Sequence, residues 1–374
     1  MPQEAEIREV LRGVEEPVLR RSIVELGMVG GIALERGVVV AVAVPLPDSA
    51  GEIRRRVIDA LAGVPEVDRV DVDLRDMTGD EKKQVAAVLK GQVADPLRVV
   101  DAGSAAPPRV NPFTDARTRV LAISSGKGGV GKSSVTTNLA VALARRGHDV
   151  AAVDADVWGF SMPRMLGIRH PPQLVDDVIV PPSAHGVRLI SMGFFSAEDQ
   201  AVVWRGPMLH KALEQFLTDV HWGEPDYLVV DMPPGTGDIA LSMAQFLPRA
   251  EVVVVTTPQP AAQVVARRAA AMARRVNLDV VGVVENMSWF RGDDNKAYEI
   301  FGAGGGEELA ADLEVPLLAQ VPLVPELRIG GDEGRPIVVA APDDEAARAF
   351  VGAAARVDEE LAPRRLSRPE LRIT

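Results

Sequence analysis

One octapeptide constrains this chain more than any other feature: Gly126-Lys127-Gly128-Gly129-Val130-Gly131-Lys132-Ser133. It follows an apolar run, Val120-Leu121-Ala122-Ile123, and precedes a helical pattern from Ser134 to Arg146. Strand, glycine-rich loop and helix in that order form the context a phosphate-binding loop requires. The glycines let backbone N–H groups converge on a phosphate with no Cβ in the way. The helix start adds unpaired N–H groups and the positive end of its dipole. Lys132 supplies a point charge for β- and γ-phosphates, and Ser133 a hydroxyl for Mg²⁺. The reading therefore assigns the run from Gly126 to Ser133, with Ser134 behind it, to a nucleotide triphosphate.

Acids at the ends of two later apolar runs fit the same chemistry. Val150 to Val153 leads into Asp154-Ala155-Asp156, and Tyr227 to Val230 leads into Asp231. Carboxylates at the carboxyl end of a strand, beside a phosphate loop, suit Mg²⁺ coordination and water positioning. Asp231 is expected to bond Ser133 or a water of the Mg²⁺ shell. The glycines that follow, Gly235 and Gly237, permit close backbone approach and a hinge. Asp238 either caps the next helix or takes part in the chemistry.

The pattern around these motifs predicts the architecture. Residues 1–90 read as a small α+β domain, with a helix through Ile7, Val10, Leu11 and Val14 that Pro17 ends. A strand follows at Val38–Val44, then a helix through Ile53–Leu61, a strand at Val67–Leu74 and a helix at Glu81–Leu89. Residues 91–117 carry Pro and Ala and read as a semi-extended linker. From 118 to 362, apolar strands alternate with amphipathic helices. That implies a doubly wound, mostly parallel sheet with its ligand at the carboxyl ends of the strands. Residues 363–374 read as a tail.

Composition removes other classes. A formal net charge of −12 argues against nucleic acid and anionic membrane as partners. The paired arginines Arg267-Arg268 and Arg274-Arg275 fall on one helix face and read as solvated. No stretch approaches the ~18 apolar residues of a membrane span. Met1–Glu9 is acidic without an apolar leader, so the expected location is cytoplasmic. The 374 residues include no cysteine, which excludes disulfides, thiol nucleophiles and thiolate metal ligands.

Beyond these derivations lies a resemblance. KGGVGKS is similar to the deviant Walker A motif of ATPases that dimerise face to face. "DADVWGFSMPRMLG" and "DMPPGTGD" resemble switch I and switch II of that class, and "ENMSWF", "IFGAGGGEELA" and "VPLVPELRIGGDEGRPIV" extend the likeness. Residues from about 118 to 345 thus resemble Mrp/ApbC-type iron–sulfur cluster carrier ATPases. "EEPVL", "SIVELGMV" and "VDVDLRDMTGDEKKQVA" resemble the small N-terminal domain of iron–sulfur assembly proteins. The resemblance implies an ATPase with ATP and Mg²⁺, working as a homodimer on iron–sulfur clients or assembly proteins. It gives Lys127 a reach into the partner subunit's nucleotide, Asp156 the attacking water, and Asp154 support of the metal shell. It assigns Lys127, Lys132, Asp156 and Asp231 to catalysis, Ser133, Asp154 and Asp231 to the metal, and Asn286 and Pro322 to the adenine pocket. Read without the resemblance, Asn286 is a turn residue.

The chain departs from the family pattern at one place. The family's C-x-x-C between "ENMS" and "IFG" is replaced by Arg291-Gly292-Asp293-Asp294-Asn295-Lys296. The small domain has Glu16-Pro17-Val18 for the usual Asp-Pro-Glu, and no cysteine near Pro47. The implied iron–sulfur cluster is therefore expected to be absent or held without cysteine. The alternative reading is a ParA/MinD-like nucleotide switch for positioning or scaffolding.

Overall fold

The computed structural model describes residues 2–34, 37–65, 67, 69–90, 111–114, 117–156, 159–195, 206–235 and 238–360. Most of the stretch read as a linker and all of the tail lie outside them. The chain divides into two compact units.

The small unit begins with α1 (Glu4–Arg12), β1 (Val29–Ala33), β2 (Val38–Val44), α2 (Ala50–Leu61), β3 (Val70–Asp76) and α3 (Gly79–Leu89). β2 is central, antiparallel to β1 and parallel to β3. Its alternate residues Val38, Val40, Val42 and Val44 are buried with Ile7, Leu11, Ile53, Val57 and Leu61. Helical spacing on two helices thus meets period-two spacing on a strand to make one core. α1 stops at Arg12, earlier than Pro17 would require. The chain turns at Gly13 so that Val14 is buried and its carbonyl accepts the N–H of Ile23. Thr78 caps α3 in a reciprocal bond with Glu81.

The second unit contains β4 (Arg119–Ser125), α4 (Lys132–Arg145), β5 (Val150–Asp154) and α5 (Met162–Met165). A hairpin follows, β6 (Gln173–Val175) and β7 (Val178–Val180), then β8 (Ser183–Ala184), β9 (Val187–Ser191), α6 (Gly206–Thr218), β10 (Tyr227–Asp231) and α7 (Asp238–Phe246). Next come β11 (Glu251–Thr256), α8 (Pro260–Arg275), β12 (Asp279–Arg291), β13 (Ala297–Tyr298), α9 (Gly305–Leu313) and β14 (Leu317–Leu323). α10 (Pro325–Glu333), α11 (Ile337–Ala340) and α12 (Glu345–Glu360) complete the described chain.

The main sheet runs β14-β12-β11-β4-β10-β5-β9, all parallel, with β8 and β13 antiparallel at its margins. Leu121, Ile123, Val229, Val253 and Val255 pack with Leu139 of α4 and Phe350 of α12. The alternate positions Ser124 and Val252 face Ala269 and Met272 of α8. Helices thus cover both faces, which is why these strands read as continuous apolar runs. Phe113 and Asn111, at the end of the stretch read as a linker, are folded here: Phe113 is buried and Asn111 Nδ2 donates to the Phe246 carbonyl. Among the described residues no helix is long and apolar enough to cross a membrane.

The β6–β7 hairpin, together with residues 219–223, belongs to the small unit. Val175 and Val180 are buried in the same cluster as Val40 and Leu61. Asp177 pairs with Lys90, and Gln173 donates to Asp48. Val175→Asp sets an unpaired carboxylate among those apolar chains, a change that costs about 2–4 kcal/mol. Hydrogen exchange is expected to accelerate across β2, β3 and α2 while β4 and β10 keep their protection. Equal loss in both units would contradict the assignment of the hairpin to the small core.

Candidate functional site

Strand register brings the acids into one row. Asp231 at the end of β10 lies level with Asp154 on β5, and Asp154 lies level with Ser191 on β9. Both carboxylates are fully buried. On the other side β10 pairs with β4, whose end delivers the glycine loop. Gly129 and Gly131 take φ of 81° and 78°, the left-handed region where a Cβ is strained. At Gly126 a Cβ would stand 2.2 Å from the Val265 carbonyl carbon, so glycine lets α8 press against the loop.

Asp231 is the node of the site. Lys132 Nζ donates to its Oδ1 at 2.7 Å, Thr136 Oγ1 to the same oxygen at 2.7 Å, and Ser133 Oγ to Oδ2 at 2.5 Å. Lys132 is itself 6% exposed, a lysine buried because it is paired. Thr136 was not singled out in the sequence. Its position one helical turn after Lys132 places it on the same face of α4, and that spacing is the signal that points to it.

Asp156 Oδ2 stands 3.8 Å from Lys132 Nζ, and its Oδ1 accepts the Gly159 N–H at 3.0 Å. It therefore borders the loop's open side, with Pro234 opposite, in a cleft of about 430 Å³ that fits a small ligand. Asp154, to which the resemblance gives support of the metal shell, is engaged within the chain: its Oδ1 accepts from the Asp156 N–H, and its Oδ2 from the N–H groups of Ser161 and Met162 and the hydroxyl of Ser191. Burial first, and then the negative charge of Asp231, pushes its carboxyl up to about 7. Two adjacent buried acids offer the oxygen ligands that a divalent cation takes, and a cation there would favour the charged form of both.

Lys127 is half-buried, and Nζ donates to Gln259 Oε1 at 3.3 Å. Asn286 Nδ2 donates to the Val130 carbonyl at 2.9 Å, and a Cβ on Gly131 would lie 2.2 Å from that nitrogen. Asn286 Oδ1 is buried with no partner among the described residues. Pro322 is buried beside Val321, the register partner of Asn286. The structure thus gathers Lys127, Lys132, Ser133, Asp156, Asp231 and Asn286 around one loop. Val157, Trp158, Thr236 and Gly237 lie outside the described residues, as does the side chain of Asp238.

On α8, Arg268, Arg274 and Arg275 are exposed, as expected of a solvated face, while Arg267 pairs with Glu308 and Asp312 and Arg274 donates to the Leu313 carbonyl, so the same face braces α8 on α9. β12 runs to Arg291, well past Val284, because its end forms a hairpin with β13. In that hairpin Asp294 accepts from the Lys296 N–H and the Tyr298 hydroxyl, which hold its carboxyl below the usual range, and Arg291 pairs with Glu345. These are hard oxygen groups already engaged within the chain. They do not fit an iron–sulfur cluster, which takes soft thiolates.

The family described as NUBPL iron-transfer P-loop NTPase matches residues 116–358. This chain belongs to that family. A second match, to a family described as iron-sulfur cluster assembly protein, covers residues 4–73. An iron-sulfur cluster carrier protein of Mycobacterium leprae is 45% identical over 343 residues, 89% of this chain and 87% of that protein. One of Synechocystis is 40% identical over 361 residues, 93% of this chain and 95% of that protein. Among solved structures, a nucleotide-binding protein of Archaeoglobus fulgidus in complex with ADP is 32% identical with a TM-score of 0.54, covering 62% of this chain and 91% of that one. The cell division ATPase MinD of Pyrococcus furiosus is 26% identical with a TM-score of 0.50, covering 65% and 99%. The family and the geometry agree on a nucleotide-binding P-loop fold of the MinD/ParA type.

The close approach at Gly126 gives a direct test of the loop's packing. Gly126→Ala drives a methyl into backbone of α8 that has no rotamer to yield, and is expected to destabilise the second unit by about 2–3 kcal/mol. Denaturant unfolding monitored on that unit checks it; a shift under about 0.5 kcal/mol would contradict the packing.

Proposed function

We propose that this chain is a cytoplasmic, Mg²⁺-dependent ATPase that works as a homodimeric switch. The observation that carries the proposal is the buried node of Lys132, Ser133 and Asp231 beneath an open glycine loop, with Asp156 at its edge. Lys132 and the loop N–H groups neutralise β- and γ-phosphate charge. Ser133 and Asp231 are the residues that hold Mg²⁺, with Asp154 behind them accepting from the N–H groups of Asp156, Ser161 and Met162. Mg²⁺, when bound, screens the phosphate oxygens and withdraws charge from the bond that breaks. Asp156 orients the attacking water. Asn286 offers its amide to adenine, the orphaned Oδ1 accepting from the base's amino group.

Lys127 acts across the dimer. The bond described for its ammonium on its own chain goes to a neutral amide, and such a bond contributes only about 1 kcal/mol. Exchanging it for the partner subunit's phosphate is therefore cheap, and the transferred charge serves as an arginine finger does.

The named relatives are carriers of iron–sulfur clusters, so the cargo on the family reading is a cluster passed to a client. A second reading is favoured by the absence of cysteine and by the engaged 291–298 hairpin. On it, the same ATP switch governs a partner other than a cluster, in the manner of positioning ATPases.

Two variants separate binding from cleavage. Lys132→Ala is expected to abolish ATP binding in calorimetric titration. Asp156→Ala is expected to keep ATP affinity within a few-fold and slow turnover on the order of a hundredfold. Unchanged affinity in the first, or turnover within about twofold in the second, a barrier change below ~0.4 kcal/mol, would refute the assignments.

A further inference from the structure

Glu285 is a buried carboxylate that none of these roles employs. It ends the core part of β12, is 1% exposed, and immediately precedes Asn286. Its Oε2 accepts the N–H of Gly306 in the first turn of α9, and its Oε1 accepts Gln320 Nε2 of β14 at 3.1 Å. Gln320 is also its register partner on that strand. A carboxylate without water is tolerated when its lone pairs are filled, and a helix N-terminus with its dipole fills one of them well.

The surrounding glycines show how tightly this joint is made. A Cβ on Gly306 would stand 2.6 Å from Glu285 Cβ, and one on Gly305 would stand 2.4 Å from the Pro258 carbonyl. α9 is thus pressed against β12 and against the start of α8, and Glu285 is the polar bond that fixes it there. Successive side chains on a strand point to opposite faces. While Glu285 grips α9 and β14, Asn286 on the other face holds the Val130 carbonyl.

We propose that Glu285 is a positioning residue for nucleobase recognition. By locking the end of β12 between α9 and β14, it holds the Asn286 amide so that donor and acceptor meet the base in one fixed order. This rests on the reading of Asn286 as the base contact. Adenine presents an amino donor where guanine presents an oxygen acceptor. A fixed amide rejects the wrong pattern because a buried polar group is left unpaired, whereas a loosened amide can turn to suit either. Glu285 itself touches no nucleotide.

The test compares steady-state ATP and GTP hydrolysis by the full-length chain and four variants. Glu285→Ala is expected to raise the KM for ATP about tenfold, lower kcat by far less, and reduce the preference for ATP over GTP by about tenfold. Gln320→Ala removes one of the two partners from a half-buried position and is expected to shift preference in the same direction by a smaller factor, which keeps the test open if the first variant folds poorly. Glu285→Gln is expected to restore preference, since its carbonyl still accepts from Gly306 and its amide donates to a turned Gln320. Preference unchanged in both alanine variants, or not restored by glutamine, would overturn the inference. Asn286→Ala run alongside separates the two claims. If it keeps the ATP preference, the base-contact reading fails; if it loses the preference while Glu285→Ala and Gln320→Ala keep it, the positioning inference alone fails.

Discussion

The buried carboxylate of Asp231 is the constraint on which the rest of the site depends. A charge with no exposure is tolerable when donors surround it, and here Lys132, Ser133 and Thr136 all come from the first turns of one helix. That requirement fixes α4 against β10 and so fixes the height of the glycine loop above the sheet. Parallel register then carries Asp154 and Ser191 to the same level, and Asp154 in turn accepts from the N–H groups of Ser161 and Met162. Removing the donors would leave two adjacent acids in an apolar sheet. The resting site is therefore pre-assembled around charges that a phosphate and a cation can take over.

Much of this was legible in the sequence because it is local. The glycine loop lies between a strand and a helix in contiguous residues, and the acids mark the points where buried apolar runs reach solvent or ligand. The parallel sheet followed from runs such as Val252–Val255 that have no polar face. What escaped reading is what depends on distant partners. The β6–β7 strands are three residues each between proline pairs, too short to show a period, and their burial is decided by a core built from residues 7–89. Gln259, Thr136 and Glu285 are ordinary polar residues until the fold sets Lys127, Asp231 and Gly306 beside them. The pairing of Arg267 was not legible because Glu308 and Asp312 lie on another helix.

The glycine loop and the 291–298 hairpin are held by bonds of different kinds. Around the loop, buried donors, glycine contacts and acids form a connected set in which a change at one place disturbs several bonds. In the 291–298 hairpin the ion pairs are exposed and individually weak. Such a hairpin can be exchanged for another sequence at little cost to the fold, whereas a change around Asp231 disturbs several buried bonds at once.

Nucleotide chemistry in this chain is expected to run without a cluster held by its own side chains. The most direct measurement is anaerobic reconstitution of the purified protein with iron and sulfide, followed by desalting, iron and sulfide quantitation and an Mg²⁺-ATP turnover assay on the same sample. Turnover with no stoichiometric iron and no charge-transfer absorbance is the expected result. About one cluster per dimer surviving desalting would contradict it, and would mean that oxygen ligands or an external thiol complete a site that this chain's own groups do not form.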